Sequence, residues 1–118
     1  MTDYEPGQIV LIPFPFTDLT TVKQRPALVI STASFNAHHQ DIIVVAITSQ
    51  NPFEIQSDEY SLSQADQTVA NLPKPSKVKS GKIISIDQRL VRKTLGSVSQ
   101  VALIEVMKLV HSNLFKPY

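Results

Sequence analysis

An α+β domain, one curled antiparallel sheet backed by a C-terminal helix, is the fold class this sequence predicts, on three observations. Short runs rich in valine, isoleucine and leucine recur at residues 9–12, 27–31, 42–47 and 81–86, and branched side chains fit a pleated surface. Near the end, Leu103, Val106, Met107, Val110 and Leu114 follow the 3.6-residue spacing of one helical stripe, with Glu105, Lys108 and Ser112 on other faces. Four or more strands followed by an amphipathic helix make a small layered domain. At 118 residues and 42% hydrophobic content, the chain holds one modest core, so residues 1–118 are read as a single domain.

Taken in order, Gly7 precedes a first strand at 9–12, too short for an ordinary helix and closed by Pro13 and Pro15. Residues 17–24 are polar and threonine-rich without helical period and read as a loop, and Pro26 biases Arg25 toward an extended backbone. The runs at 27–31 and 42–47 lack alternation, which predicts burial on both faces. Between them, 34–40 carries Asn36, His38 and His39 and reads as a turn or a short helical excursion. After Gln50 the pattern weakens: 53–56 and 68–72 read as short strands joined by the polar stretch 57–66. The strand at 81–86 leads to Asp87, which caps a short helical turn through Arg92. Ser97, three residues before Gln100, resembles a capping box, and Ser99 competes with it as N-cap of the terminal helix.

Composition narrows the chemistry. With no cysteine, disulfides, thiolate metal sites and a thiol nucleophile are excluded, which fits a reducing cytoplasm. The N-terminus M-T-D-Y-E-P-G-Q is acidic and polar, unlike a secretion signal. No apolar stretch approaches the ~20 residues that cross a bilayer, so no membrane is expected as a partner. A net charge of +1 does not announce a nucleic-acid binder. Its distribution is uneven, however: Lys74, Lys77, Lys79, Lys82, Arg89, Arg92 and Lys93 lie within twenty residues whose one acid is Asp87. Either a local basic surface or an ordinary solvated face follows from that.

Two polar groups abut the apolar strands. Arg25 stands just before one and Thr48 ends another. If those strands are neighbours, a permanent cation and a hydroxyl share a rigid floor suited to holding a phosphate, since a guanidinium fork binds two phosphate oxygens at once. Taken singly, Arg25 reads equally as a surface ion-pair cation, and Thr48 as a residue that simply suits a strand. His38 and His39 titrate near neutrality and are the other acid–base candidates, although adjacent exposed turn residues account for them. No H-x-x-x-H or H-E-x-x-H spacing supports a metal, and no G-x-S-x-G supports a serine nucleophile. Phe14, Phe16 and Phe53 lie near the proposed floor; an exposed ring stacks on an unpaired base, whereas burial is the default, expected for at least one of Phe14 and Phe16.

In order and spacing, G-Q-I-V-L-I, P-F-P-F-T-D, K-Q-R-P-A-L-V-I-S, A-I-T-S-Q, L-P-K-P-S, K-I-I-S-I-D-Q-R-L and R-K-T-L-G-S-V-S resemble the MazF/PemK family, toxins of toxin-antitoxin systems that cut single-stranded RNA. The resemblance implies an SH3-like barrel with a C-terminal helix, assembled as a homodimer whose interface helps form the RNA groove. It implies that Arg25 and Thr48 are catalytic, that Lys23, Gln24, Ser49 and Gln50 bind RNA, and that Lys77 and Lys79 add further contacts. It implies no cofactor and no metal, a cognate antitoxin that occupies the loop at 16–24, and DNA as a partner only through that antitoxin. Metal-free cleavage of RNA needs a polarised 2′-hydroxyl, a neutralised phosphate oxygen and a protonated leaving oxygen, demands a cation and a hydroxyl on one floor meet in large part. A 2′,3′-cyclic phosphate would result, and DNA would be no substrate. Gln8 departs from the acidic residue the family commonly carries after the first glycine, and the short loop before Arg25 prevents carrying over a cleavage sequence. The alternative of another class is a non-catalytic barrel that binds protein or RNA, and a purely structural domain ranks last.

Overall fold

The apolar runs form strands in the computed structural model, which describes residues 3–15 and 22–115. The elements are β1 (Gln8–Pro15), β2 (Val22–Val29), α1 (Ala33–His38), β3 (Asp41–Thr48), β4 (Glu59–Ser61), α2 (Gln64–Val69), β5 (Lys77–Asp87), a 3-10 turn (Gln88–Leu90), β6 (Lys93–Ser97) and α3 (Gln100–Leu114). The strands make one antiparallel sheet in the order β4-β5-β3-β2-β1-β6. Apolar side chains pack on both of its faces. Ile9, Leu28, Val45 and Val78 meet Val106 and Val110 of α3 on one side, and Val10, Ile12, Ala27, Val29, Val44 and Ile86 cluster on the other. The unalternated run of β3 is buried on both faces as expected.

Several boundaries differ from those the sequence predicts. β1 runs on through Pro13 to Pro15, because past Leu11 one of its edges has no partner strand among the described residues, and a missing N–H is tolerated on an open edge. β2 begins at Val22, so Lys23, Gln24 and Arg25 are strand residues opposite Phe14, Pro13 and Ile12; 17–21 of the expected loop lie outside the described residues, as does Phe16. Phe14 is half-buried against the Val10–Ile12 layer. Neither 53–56 nor 68–72 is a strand. Instead Glu59–Ser61 pairs with β5, and Ser63 caps α2 by accepting from Asp66 N at 3.0 Å, an S-x-x-D signature hidden inside the stretch read as a polar connection. β6, also unpredicted, is a short, mostly exposed strand without an apolar run.

The edge strands β4 and β6 do not pair with each other, so the barrel stays open and α2 fills the gap. Asn71, just past α2, donates through its amide to Leu95 O at 2.6 Å, and Gly96 lies so close that a Cβ there would stand 2.2 Å from Val69 O. Asp66 ties this closure to the terminal helix: buried, it accepts from Ser99 N at 2.7 Å. Ser99, rather than Ser97, is the N-cap of α3 and accepts from Ala102 N at 3.2 Å. Ala102, Leu103, Val106 and Val110 are the buried stripe, while Leu114 in the last turn is 70% exposed. At the other end of the chain, Gly7 has φ +97°, a conformation L side chains rarely adopt, and its N and O bond Val29 O and Val98 N. Gln8 Oε1 accepts from Glu5 N at 3.0 Å, so the side-chain oxygen that a carboxylate would offer at this position is still supplied.

β5 is kinked. Its pairing with β3 skips from Ile83 to Lys79 between Val45 and Ala46, and buried Ser80 in the kink donates to Asp58 O and accepts from Asn113 Nδ2 at 2.9 Å. Just before it, Lys77 and Glu59 form an ion pair of 2.8 Å with side chains 7% and 4% exposed. Lys77 Nζ also donates to Glu54 O at 2.7 Å, Gln56 N donates to Glu59 Oε1 at 2.9 Å, and Lys79 lies 3.6 Å from the second Glu59 oxygen. Lys77, by its hydrogen bond first, holds the Glu59 carboxyl below its ordinary value of 4.5, against the opposing effect of burial. A depressed carboxylate contributes stability above its unfolded-state pKa and loses it as pH falls through the folded value.

Two outcomes follow for stability. Lys77→Met leaves a buried carboxylate without its closest cation and should cost about 3 kcal/mol at neutral pH in urea unfolding, a penalty that shrinks as pH falls, because Glu59 protonates first in the variant, where burial is no longer opposed by Lys77, and only at lower pH in wild type. Gly96→Ala drives a methyl into the Val69–Ala70 backbone, and overpacking of that kind should cost about 3 kcal/mol by the same measurement.

Candidate functional site

The end of the sheet where β1 and β3 finish and β2 and β5 begin gathers the polar groups. Ile12 pairs with Arg25 on β1–β2, and Thr48 pairs with Lys77 and Lys77 with Ser61 on β3–β5–β4. The β2–β3 ladder stops at Ala27↔Ala46, beside Pro26, which has no N–H to offer. Continuing that register by two residues on each strand aligns Arg25 with Thr48. One row therefore crosses five strands as Ile12, Arg25, Thr48, Lys77 and Ser61, and directly opposed positions in such a row face the same side of a sheet. Both Arg25 and Thr48 are half-buried.

Thr48 is oriented by its own loop. Its Oγ1 accepts from Gln50 N at 3.1 Å, and a hydroxyl that accepts in this way keeps its O–H to donate outward. Ser49 and Gln50 follow it and are exposed. Lys23 and Gln24, exposed on β2, precede Arg25 on the same strand. Lys77 stands next to Thr48 but is buried with its ammonium on Glu59 and Glu54 O, so it acts on the site by holding it, whereas Lys79, with its side chain 35% exposed, still reaches solvent.

Arg25 also borders a cleft of about 470 Å³ whose floor, Leu11, Pro26 and Ile47, alternates along the strands with the row of Ile12, Arg25 and Thr48 and so lies on the other face of the sheet, with Ser49, Leu72, Lys74 and Lys93 around it. Among its lining residues are three cations and no carboxylate, which gives it the character of an anion site with apolar walls. Lys74 and Lys93 were legible in the sequence only as members of the cationic stretch; nothing in their spacing paired them with Arg25. Glu59 was missed altogether, since an acid in a polar connection carries no signal of burial. Arg89 is engaged elsewhere: it forks onto Asp87 at 2.8 Å, holding that carboxyl down at about 2.

The histidines stand apart from this end. His38 and His39 flank the C-terminus of α1, exposed, with Nδ1 2.7 Å from Ser34 O and 2.9 Å from Phe35 O respectively, and His39 stacks on Phe35 at 4.1 Å. Among the described residues no group of three or more His, Cys, Asp or Glu is placed to hold a metal ion, and no helix is long and apolar enough to cross a membrane.

Known proteins share this arrangement of strands. The fold is similar to that of a mycobacterial endoribonuclease in complex with its cognate antitoxin, with a TM-score of 0.78 at 16% identity over 98% of each chain. It is similar also to an endoribonuclease from a mycobacterial species, at 0.78 and 19% identity over 100% of this chain and 97% of that one. MazF from Deinococcus radiodurans is 25% identical over 97% of this chain and 98% of its own, with a TM-score of 0.76. No curated protein sequence matches significantly. Residues 5–114 match the PemK-like, MazF-like toxins of type II toxin-antitoxin systems, and with that match spanning nearly the whole chain, the protein belongs to this family.

Proposed function

We propose that this toxin is a metal-independent endoribonuclease acting on single-stranded RNA in a sequence-specific manner. The observation that carries the reading is the β2–β3 register, Ala27 opposite Ala46, which, extended by two residues on each strand, sets Arg25 opposite Thr48 at the sheet end. Arg25 clamps the non-bridging oxygens of the scissile phosphate and offsets the charge that develops on them. Thr48, its acceptor side occupied by Gln50 N, donates its hydroxyl to the same oxyanion. The 2′-oxygen bonds to phosphorus as the bond to the 5′-oxygen breaks. The 2′-proton is released, the 5′-oxygen takes one up with Arg25 aiding the transfer, and the ends are a 2′,3′-cyclic phosphate and a 5′-hydroxyl. Lys23, Gln24, Ser49 and Gln50 flank the reacting phosphate and bind RNA on either side. Lys79 adds a partly exposed cation, and Lys77 contributes by holding the floor through Glu59.

The partners in this reading are RNA, a cognate antitoxin and a second copy of the chain. The mycobacterial endoribonuclease is solved with its cognate antitoxin, and here an acidic antitoxin segment laid across the same floor would compete with RNA for Arg25. Ile104, 46% exposed on α3, borders a groove with Pro6, Ile30 and Met107 and, with Val101, 69% exposed on the same helix, offers a second copy an apolar surface.

The test is cleavage of a long single-stranded RNA by purified protein in EDTA, with Arg25→Ala and Thr48→Ala beside wild type. Discrete cuts ending in cyclic phosphate are expected, with each variant slowed by about 100-fold or more. Cleavage untouched by Arg25→Ala would sink the assigned site, and tight RNA binding by folded wild type without any cleavage would make the domain a binding module.

A further inference from the structure

The loop between β3 and β4 combines full exposure at its tip with fixed attachment at its base. Phe53 is 80% exposed, the most exposed large hydrophobic side chain among the described residues. It occupies the third position of a turn that Asn51 opens and Glu54 closes, with Glu54 N donating to Asn51 O at 3.1 Å, and Pro52 sets the second position, where its fixed φ suits a turn. The next backbone group, Glu54 O, is gripped by buried Lys77 Nζ at 2.7 Å, and Gln56 N is held by Glu59 at 2.9 Å. At the loop's start, Gln50 N bonds Thr48 Oγ1. A phenyl ring is thus presented to solvent from a segment anchored before and after it, five residues from Thr48.

We infer that Phe53 is a stacking platform for one unpaired base of bound single-stranded RNA, next to the phosphate held by Arg25 and Thr48. This rests on the ribonuclease reading of that floor. A base offers a π-face to an aromatic ring whatever its identity, and a pinned ring loses little freedom when it stacks. Charge selects the occupant. Glu54, the residue after the ring in the turn, is exposed and opposes a phosphate or an acidic peptide there, while Lys23, Arg25 and Lys79 of neighbouring strands take the backbone phosphates. The ring and the cations divide one strand of RNA between them, base to the loop and phosphate to the sheet.

The chain contains no tryptophan, so Phe53→Trp introduces a single indole whose emission reports contact at this position. It is titrated with a fully 2′-O-methylated single-stranded oligonucleotide, which has no 2′-hydroxyl to react, while wild-type cleavage of ordinary RNA is followed in parallel. Saturable quenching is expected. Phe53→Ala should bind about tenfold more weakly with the salt dependence unchanged, and Phe53→Trp should bind as wild type, whereas Lys79→Ala should reduce the slope against salt by about one. Binding with no quenching, and with Phe53→Ala as tight as wild type, overturns the inference and leaves the ribonuclease reading to the cleavage assay. Quenching by an oligonucleotide with no cleavage of RNA upholds the platform and overturns the nuclease. An emission shift that follows protein concentration without RNA assigns the ring to a contact between copies and overturns the inference as well.

Discussion

Two charges withdrawn from water at the β4–β5 edge organise the end of this sheet. Isolated, either Lys77 or Glu59 would be too costly to bury, so each is held where the other is, and each also bonds the backbone of one loop, while Lys79 approaches the second Glu59 oxygen. Glu54 O and Gln56 N are fixed by that pair, and Thr48 stands directly opposite Lys77. The position of the threonine, the path of the loop after it and the placement of Phe53 therefore share one cause. A hydrophobic pair of equal volume could fill the same space, but it would not hold the loop's polar backbone groups.

In the proposed reading, the charge pattern would let a chain of net charge +1 address a polyanion. The cations of the second half are assigned to different work by the fold: Lys77 is neutralised in place, Arg89 is spent on Asp87, and Lys74 and Lys93 are brought beside Arg25 across a cleft. What reaches a ligand is therefore a small, localised positive site rather than a basic face. Such a site favours holding one or two phosphates closely over diffuse attraction along a duplex, and in the proposed reading specificity would come from contacts to bases rather than from overall charge.

Much of this was legible in the residues, for reasons that vary by element. β3 was plain because a run of branched residues buried on both faces has few other interpretations, and α3 because its stripe keeps one period through Val110. Arg25 and Thr48 were legible as groups at strand ends, and through the family resemblance. β4 and β6 were not, because a short edge strand with one buried position, or with none, presents no apolar pattern. Their existence is decided by the neighbours they pair with. Glu59 was invisible for the same reason: its burial depends on Lys77, eighteen residues away and adjacent only in the sheet. Proline was misread as a terminator at Pro13 and Pro15, since whether an N–H is needed depends on which edge of the strand has a partner.

Those prolines have a common location that no local reading reveals. Pro13 and Pro15 end β1, Pro26 lies midway along β2, Pro52 shapes the turn after β3, and Pro73 and Pro75 lead into β5. Apart from Pro26, which lies next to Arg25 within its strand, antiparallel pairing brings these to the same end of the sheet, the end that carries Arg25 and Thr48. A proline restricts the unfolded chain as well as the folded one, so segments containing it lose less entropy on ordering. The loops and strand ends around the site are thereby stiffened in the sequence itself, without need of a large core beneath them. In the proposed reaction, a phosphate bound there meets groups already in position, so that the interaction energy goes into charge stabilisation rather than into ordering the protein, the condition that catalysis by a single arginine and a single hydroxyl would require.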